Sequence, residues 1–363
     1  MTTATDLIEE TQPRAINAAR PASGARAISI WLFAMCALVA LMVTVGGATR
    51  LTDSGLSITE WKPVTGAIPP LSAEVWEAEF EKYKQIPEYQ IVNQGMSLSE
   101  FKVIYWWEWG HRFLGRLIGV AFIIPLLVFV SRGWVTGALR WKLFALFVLG
   151  GAQGALGWYM VKSGLSERVD VSQYRLAAHL GLAVFLFAAL FWTALDVRRG
   201  PGVRAPLTGL GLGALALAAG VYLQILLGAF VAGLRAGQTY TDWPLMDGRF
   251  FPEAYFEGKP AFAAAFETIA AVQFNHRIGA YALALGGVFF FLAARGTQAE
   301  KGARIVVAAI LAQMALGVST LMAATPIGLG LLHQLGALAV LSAALYTAHG
   351  LMPSNSIANA SSS

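Results

Sequence analysis

Apolar and polar positions along this chain do not alternate; they fall in blocks. Eight apolar blocks lie near residues 28–48, 105–131, 141–161, 173–195, 207–231, 267–293, 302–323 and 327–349. Each is about as long as the roughly 20 residues a helix needs to cross a hydrocarbon core of about 30 Å, so each predicts a transmembrane helix. Two of the polar blocks, 49–104 and 232–266, are too long to be bare connections and predict structure of their own. In the first, Val75, Trp76, Phe80 and Tyr83 recur at helical spacing and predict a short amphipathic helix over 72–83. Ser97 and Glu100 fit a capping box. The second spanning helix is therefore expected to begin in the polar block and run inward through Glu108 and His111. Residues 1–27 and 351–363 read as polar tails.

Composition agrees with this pattern and narrows it. The chain is 56% hydrophobic and 13% charged, with 38 glycines, which is the balance of an all-α integral membrane protein and not of a soluble domain. Arg26, then Arg132, Arg140 and Lys142, then Arg198, Arg199 and Arg204, then Arg295, Lys301 and Arg304 fall on one side of the eight spans. The positive-inside rule makes that side cytoplasmic, places both termini there, and turns the two long loops outward. The small net charge of +5 is accounted for by these loops and carries no signature of nucleic-acid binding. Trp106, Trp107, Trp109, Trp158 and Tyr159 are placed to form an aromatic belt at the outer boundary. Asp6, Glu9 and Glu10 argue against a mitochondrial transit peptide, and the first span is too long for a signal-peptide core. The single cysteine, Cys36, excludes an internal disulfide and a Cys-rich metal or iron–sulfur site.

The two halves of the chain resemble each other. Residues 46–66 align without a gap to residues 228–248, a constant offset of 182: Gly46, Gly55, Thr59, Trp61 and Gly66 match Gly228, Gly237, Thr241, Trp243 and Gly248. AQGALG at 152–157 matches AQMALG at 312–317, and His111-Arg112 matches His276-Arg277. His179 and His333 are followed by LGLAV and QLGALAV. The order of the matches predicts a duplicated four-span unit, two pseudo-symmetric four-helix bundles in a parallel repeat. The expected division is a tail 1–27, a first bundle 28–197 with its long loop 49–104, a linker 198–206, a second bundle 207–350 and a tail 351–363.

Four of the five histidines, His111, His179, His276 and His333, sit in the even-numbered spans, about six to nine residues from the outer end. At 1.5 Å per residue that is a depth of roughly 10–14 Å. Two imidazoles at one level on two helices of one bundle suit the two axial positions of a haem iron. An isolated intramembrane histidine is otherwise read as a hydrogen-bonding or proton-relay group. Arg112 and Arg277 can pair with haem propionates or act as snorkelling anchors. Gln153 and Gln313 read as interhelical hydrogen-bonding groups. Glu108 breaks the symmetry, since position 273 in the second half is glutamine. It reads either as a charge at a helix start or as a catalytic carboxylate beside the first site.

These residues resemble the haem A synthase family, the Cox15/CtaA type, in its proteobacterial and mitochondrial branch. The resemblance runs from about Val45 to His349 and rests on GGATRLTDSGLSITEWKPVTGAIPP, EWGHRFLGRLIG, the paired AQxALG segments, FNHRIGAYAL and LLHQLGALAV. It implies oxidation of the C8 methyl of haem O to a formyl group, which gives haem A for cytochrome oxidase. It implies that His111 and His179 flank the haem O substrate, that His276 and His333 ligate a haem b, and that Glu108 assists the chemistry. It also implies a bacterial inner membrane, haem sites toward the periplasm, and an electron donor. Membrane lipid, an association with haem O synthase and a homo-oligomer complete the expected partners. The cysteine pairs that some family members carry in their outer loops are missing here. The rival readings are a di-haem b-type cytochrome that only moves electrons and a haem-handling assembly protein without chemistry.

Overall fold

The computed structural model describes residues 22–165, 169–200, 203–204, 207–352 and 354–355. The expected tail 1–27 lies outside these residues except for its last six, and the tail 351–363 except for 351–352 and 354–355. Besides helices, turns and loops, the described residues include a two-residue antiparallel pairing in which Val203 faces Asn355 and Arg204 faces Ser354.

Eleven α-helices follow in order among the described residues: α1 Ala22–Leu51, α2 Ala73–Tyr83, α3 Pro87–Ile91, α4 Leu98–Ser131, α5 Gly137–Gly164, α6 Gln173–Arg199, α7 Gly209–Gly233, α8 Ala261–Glu267, α9 Ile269–Ala294, α10 Glu300–Met322 and α11 Ile327–Gly350. Eight of these, α1, α4, α5, α6, α7, α9, α10 and α11, are long and apolar enough to cross a membrane. Their positions follow the apolar blocks because a helix satisfies its backbone polar groups internally and needs an apolar run of about 20 residues to cross a hydrocarbon core.

The eight long helices pack as two rings of four. In the first ring α1 touches α4 and α6, and α5 touches the same two; in the second, α7 touches α9 and α11, and α10 touches the same two. Between the rings, α6 meets α7, α11 meets α1, and α6 meets α11. The first two of these contacts are equivalent to each other and the third is equivalent to itself, as a two-fold relation between the repeats requires. Ile28, Leu32, Met35, Val184, Leu190, Val221 and Leu341 are among the buried residues of the shared apolar core. At the long-loop end, Asp53 and Arg235 occupy equivalent positions of the 182-residue repeat. Both are left-handed, with φ of 50° and 53°, and Arg235 Nη2 lies 2.8 Å from Asp53 Oδ1.

The first long loop folds into a small subdomain on the end of α4. Ser72 caps α2 by accepting from Val75 N. Trp76, Phe80 and Tyr83 of α2 then bury against Phe101, Ile104 and Tyr105 of α4, with Phe80 stacked on Phe101 at 4.9 Å between ring centres. The capping box forms: Ser97 accepts from Glu100 N, and the Glu100 carboxylate accepts from Ser97 N at 2.8 Å. The helix it starts runs unbroken through Glu108 and His111. One expectation needs correction. Val75 is exposed, and the fourth buried position of α2 is Glu79, whose carboxylate is held by Lys62 and Lys82 at 3.3 and 2.9 Å. Trp109 meets Trp106 edge-on at 5.3 Å and stacks on Phe113.

Candidate functional site: two pairs of histidines across two bundles

In each ring the two histidines come from helices that are diagonal to each other: His111 on α4 and His179 on α6, His276 on α9 and His333 on α11. All four are half-buried. The ring centres of His276 and His333 are 6.4 Å apart, with the planes at 81°. Two imidazoles on one metal, with metal–nitrogen bonds of about 2.0 Å and about 1.1 Å more to each ring centre, stand about 6 Å apart. The separation is compatible with both rings meeting one metal.

Each imidazole lies against a glycine of the neighbouring helix. An added Cβ on Gly46 would come 3.0 Å from His111 Nε2, and one on Gly157, Gly228 or Gly317 would come 2.9, 3.1 or 2.7 Å from Cε1 of His179, His276 or His333. Contacts this short would displace the ring, so the glycines set where each ring can lie. One turn before three of these glycines stands a glutamine. The Nε2 atoms of Gln153, Gln224 and Gln313 lie 3.1, 3.0 and 3.1 Å from Nδ1 of His179, His276 and His333. Each also donates to the backbone carbonyl of its histidine, at 3.0, 2.7 and 2.6 Å. Gln153 and Gln313 do join neighbouring helices, as their sequence suggests, but their partners are the histidines themselves. Gln224 escaped sequence reasoning, although the offset of 182 carried four residues further would have found it opposite Met42.

The residues one turn before and one after the α4 and α9 histidines form a second motif, which clamps the loop that follows the first helix of each half. Glu108 is 3% exposed. Its Oε2 accepts from Ser57 Oγ at 2.8 Å and from Ile58 N at 2.7 Å; its Oε1 accepts from Arg112 Nε and Nη2 at 3.1 and 2.5 Å. Arg112 also donates to the carbonyls of Ile58 and Glu60. In the second half Arg277 donates to Gln273 Oε1 at 3.2 Å and to the carbonyls of Tyr240 and Leu245. Gln273 Nε2 in turn donates to the carbonyls of Ala236 and Tyr240. Ile58 and Tyr240 are equivalent positions of the repeat, so the same arginine bond is made twice. Arg116, not singled out from the sequence, adds bonds to the carbonyls of Pro63 and Lys62.

The clamp is flanked by charge. Lys62 and Lys82 hold the Glu60 carboxyl down to about 2 through direct hydrogen bonds. Glu88, buried in the loop subdomain and facing the charge of Glu108, is pushed up to about 8, chiefly by loss of solvent. Its carboxylate accepts from Tyr83 Oη at 3.3 Å.

A haem fits this donor set better than a metal ion held by protein alone. Among the described residues no three His, Cys, Asp or Glu side chains converge, whereas each bundle supplies two imidazoles and leaves the equatorial positions to a macrocycle. The carboxamide oxygens of Gln153 and Gln224 are buried without a donor. Their amide nitrogens face Nδ1 of His179 and His276; with Nε2 on a metal and Nδ1 protonated, the amide would turn its oxygen to the Nδ1–H.

Comparison with known proteins gives one consistent result. Residues 29–345 match the family model COX15-CtaA, described as cytochrome oxidase assembly protein. The heme A synthase of Parvibaculum lavamentivorans is 55% identical over 325 residues, covering 90% of this chain and 94% of the relative. That of Caulobacter vibrioides is 53% identical over 327 residues, covering 88% and 94%. That of Maricaulis maris is 50% identical over 319 residues, covering 86% and 92%.

Proposed function

This chain belongs to the COX15-CtaA family of cytochrome oxidase assembly proteins, and we propose that it is a haem A synthase, oxidising the C8 methyl of haem O to a formyl group to give haem A. It is a multi-pass protein of a bacterial inner membrane, with the long-loop end toward the periplasm and both termini in the cytoplasm. The matched histidine pairs carry the reading, His276 and His333 at 6.4 Å most directly. Such pairs hold haem, and the relatives' name supplies the reaction.

The first bundle, residues 28–197, takes the substrate haem O between His111 and His179. The second, residues 207–350, takes a resident haem b between His276 and His333. Haem b, when bound, supplies one-electron transfer between the substrate site and an outside electron donor. The chain's own residues set the geometry. Gly46 and Gly157 fix where the first pair of imidazoles can lie, and Gln153 fixes the ring of His179. Glu108 keeps a buried carboxylate one turn from His111, where its charge favours positive charge developing on the methyl carbon. Arg112 and Arg277 have donors on loop carbonyls, which supports their acting through the loops that border each site more than as direct partners of a propionate.

Expression in a host that makes haem O, followed by haem extraction and identification by chromatography and mass, tests the proposal. Haem A or its hydroxymethyl precursor, absent from the empty-vector control, is expected. Haem b alone, with haem O present and a competent donor in the host, would favour the electron-transfer cytochrome.

A further inference from the structure

Three of the four imidazoles share one arrangement: a glycine against the ring and, one turn earlier on the same helix, a glutamine bonded to the ring and to the histidine's carbonyl. His111 has the glycine, Gly46, but the residue one turn earlier is Met42. Met42 is the repeat equivalent of Gln224, at the offset of 182. It is half-buried, and its methyl lies toward α4, 3.3 Å from where a Cβ on Gly115 would stand, one turn past His111. In the second half a carboxamide reaches toward the histidine's own helix, at the glycine three residues past the histidine. A Cβ on Gly279 would come 2.2 Å from Gln224 Oε1, and one on Gly336 the same distance from Gln313 Oε1.

The chemical difference is direct. A carboxamide carries both donors and an acceptor, so its nitrogen can donate to an unprotonated Nδ1 and to the histidine's carbonyl, or it can turn its oxygen to an Nδ1–H in place of that tether. A thioether is a weak acceptor and a flexible apolar filler. Partners of this kind fix the tautomer and orientation of a metal-bound imidazole, and losing one typically lowers metal affinity about 10–100-fold. The second half has two such partners and the first half has one.

We propose that Met42 makes the first bundle an exchange site: by leaving His111 without the carboxamide that holds the other three imidazoles, it lets this one ligand release and re-form, so that substrate haem enters and product haem leaves while the second bundle keeps its haem. The inference rests on the assignment of the substrate to the first pair. Of the two residues that would hold the haem here, His111 would be the one to let go, since His179 keeps Gln153.

The test measures haem loss from the whole protein in lipid nanodiscs to excess apomyoglobin, with the released haem identified by chromatography. Wild type should release haem in two phases, and His111→Ala should abolish the faster one. Met42→Gln should slow the faster phase about 10–100-fold. Gln224→Met should speed the slower phase by a similar factor, and Met42→Leu should change nothing. Wild-type release from Met42→Gln, or equal slowing by Met42→Leu, would overturn the proposal and leave the site assignment standing. If Met42→Gln does not fold, an unchanged slow phase in folded Gln224→Met overturns it. A wild type with no phase sensitive to His111→Ala would instead overturn the assignment of haem to the first pair, and the proposal with it.

Discussion

The two bundles hold the same skeleton and differ where chemistry can be expected. Both present a histidine pair, a glycine against each imidazole, and an arginine after the α4 or α9 histidine that bonds the carbonyl of Ile58 or Tyr240. One turn before that histidine the first half has a carboxylate, and its loop answers with donors, Ser57 Oγ and Ile58 N. The second half has a carboxamide, and its loop answers with acceptors, the carbonyls of Ala236 and Tyr240. Residues on both sides of these hydrogen bonds differ together: the first half holds a buried carboxylate with loop donors, the second a neutral carboxamide with loop carbonyls. A second difference falls at Met42 and Gln224, where a thioether stands against a carboxamide.

The strongest way to break the comparison is to remove an axial ligand. His276→Ala should cut retained haem b at least tenfold and remove the second half's share of the low-spin bis-histidine absorption, while haem in the first half survives; loss from both halves together would mean that the sites are not independent. Gly317→Ala works on the same pair more gently. Its Cβ would lie 2.7 Å from His333 Cε1, and the displaced ring should lower haem retention about 10–100-fold, read by titration of haem into stripped protein.

Glu108→Gln separates the two clamps. The amide cannot accept from Ile58 N–H, Ser57 and both arginine donors with the geometry of the carboxylate. Hydrogen bonds to a charged group contribute about 1.5–3 kcal/mol, so hydrogen exchange at Ile58 should accelerate about 10–100-fold. Haem A production should fall by more than the loop opening explains, because the buried charge is lost as well. Wild-type exchange with lost product would assign Glu108 to the chemistry alone.

Glu88 gives a smaller effect, spread over pH. Its carboxyl is raised from an ordinary value of 4.5 to about 8. Between these values the folded chain keeps a proton that the unfolded chain releases. Stability from this group is therefore full below about pH 4.5 and declines as pH rises through about 8. Thermal melting followed by the fluorescence of the tryptophans around the loop subdomain should show this slope, and Glu88→Gln should flatten it. The smallest change is Ser97→Ala, which removes the α4 cap and should cost about 1 kcal/mol, visible as faster exchange over residues 98–101.

Much of this architecture is legible in the sequence because lipid leaves few alternatives. The eight spans sit within a few residues of the apolar blocks, and the repeat exposes the histidine pairs. The clamp on Glu108 is illegible because its partners include a backbone N–H and, through Arg112, backbone carbonyls, which carry no residue identity. Met42 is silent for a different reason: an apolar residue in an apolar span draws no attention until its three glutamine counterparts are seen on their histidines. The burial of Glu79 is illegible because nothing in its spacing announces the two lysines that pair with it.

The central claim is a division of labour between the bundles, and a site-resolved haem inventory tests it most directly. Wild type, His111→Ala and His276→Ala would be purified from a host supplying haem O, and the bound haems identified and counted. The account predicts that His111→Ala keeps haem b but neither haem O nor haem A, and that His276→Ala lacks haem b and makes no haem A while still binding haem O. Haem O or haem A at wild-type levels in His111→Ala, or haem b at wild-type levels in His276→Ala, would contradict it.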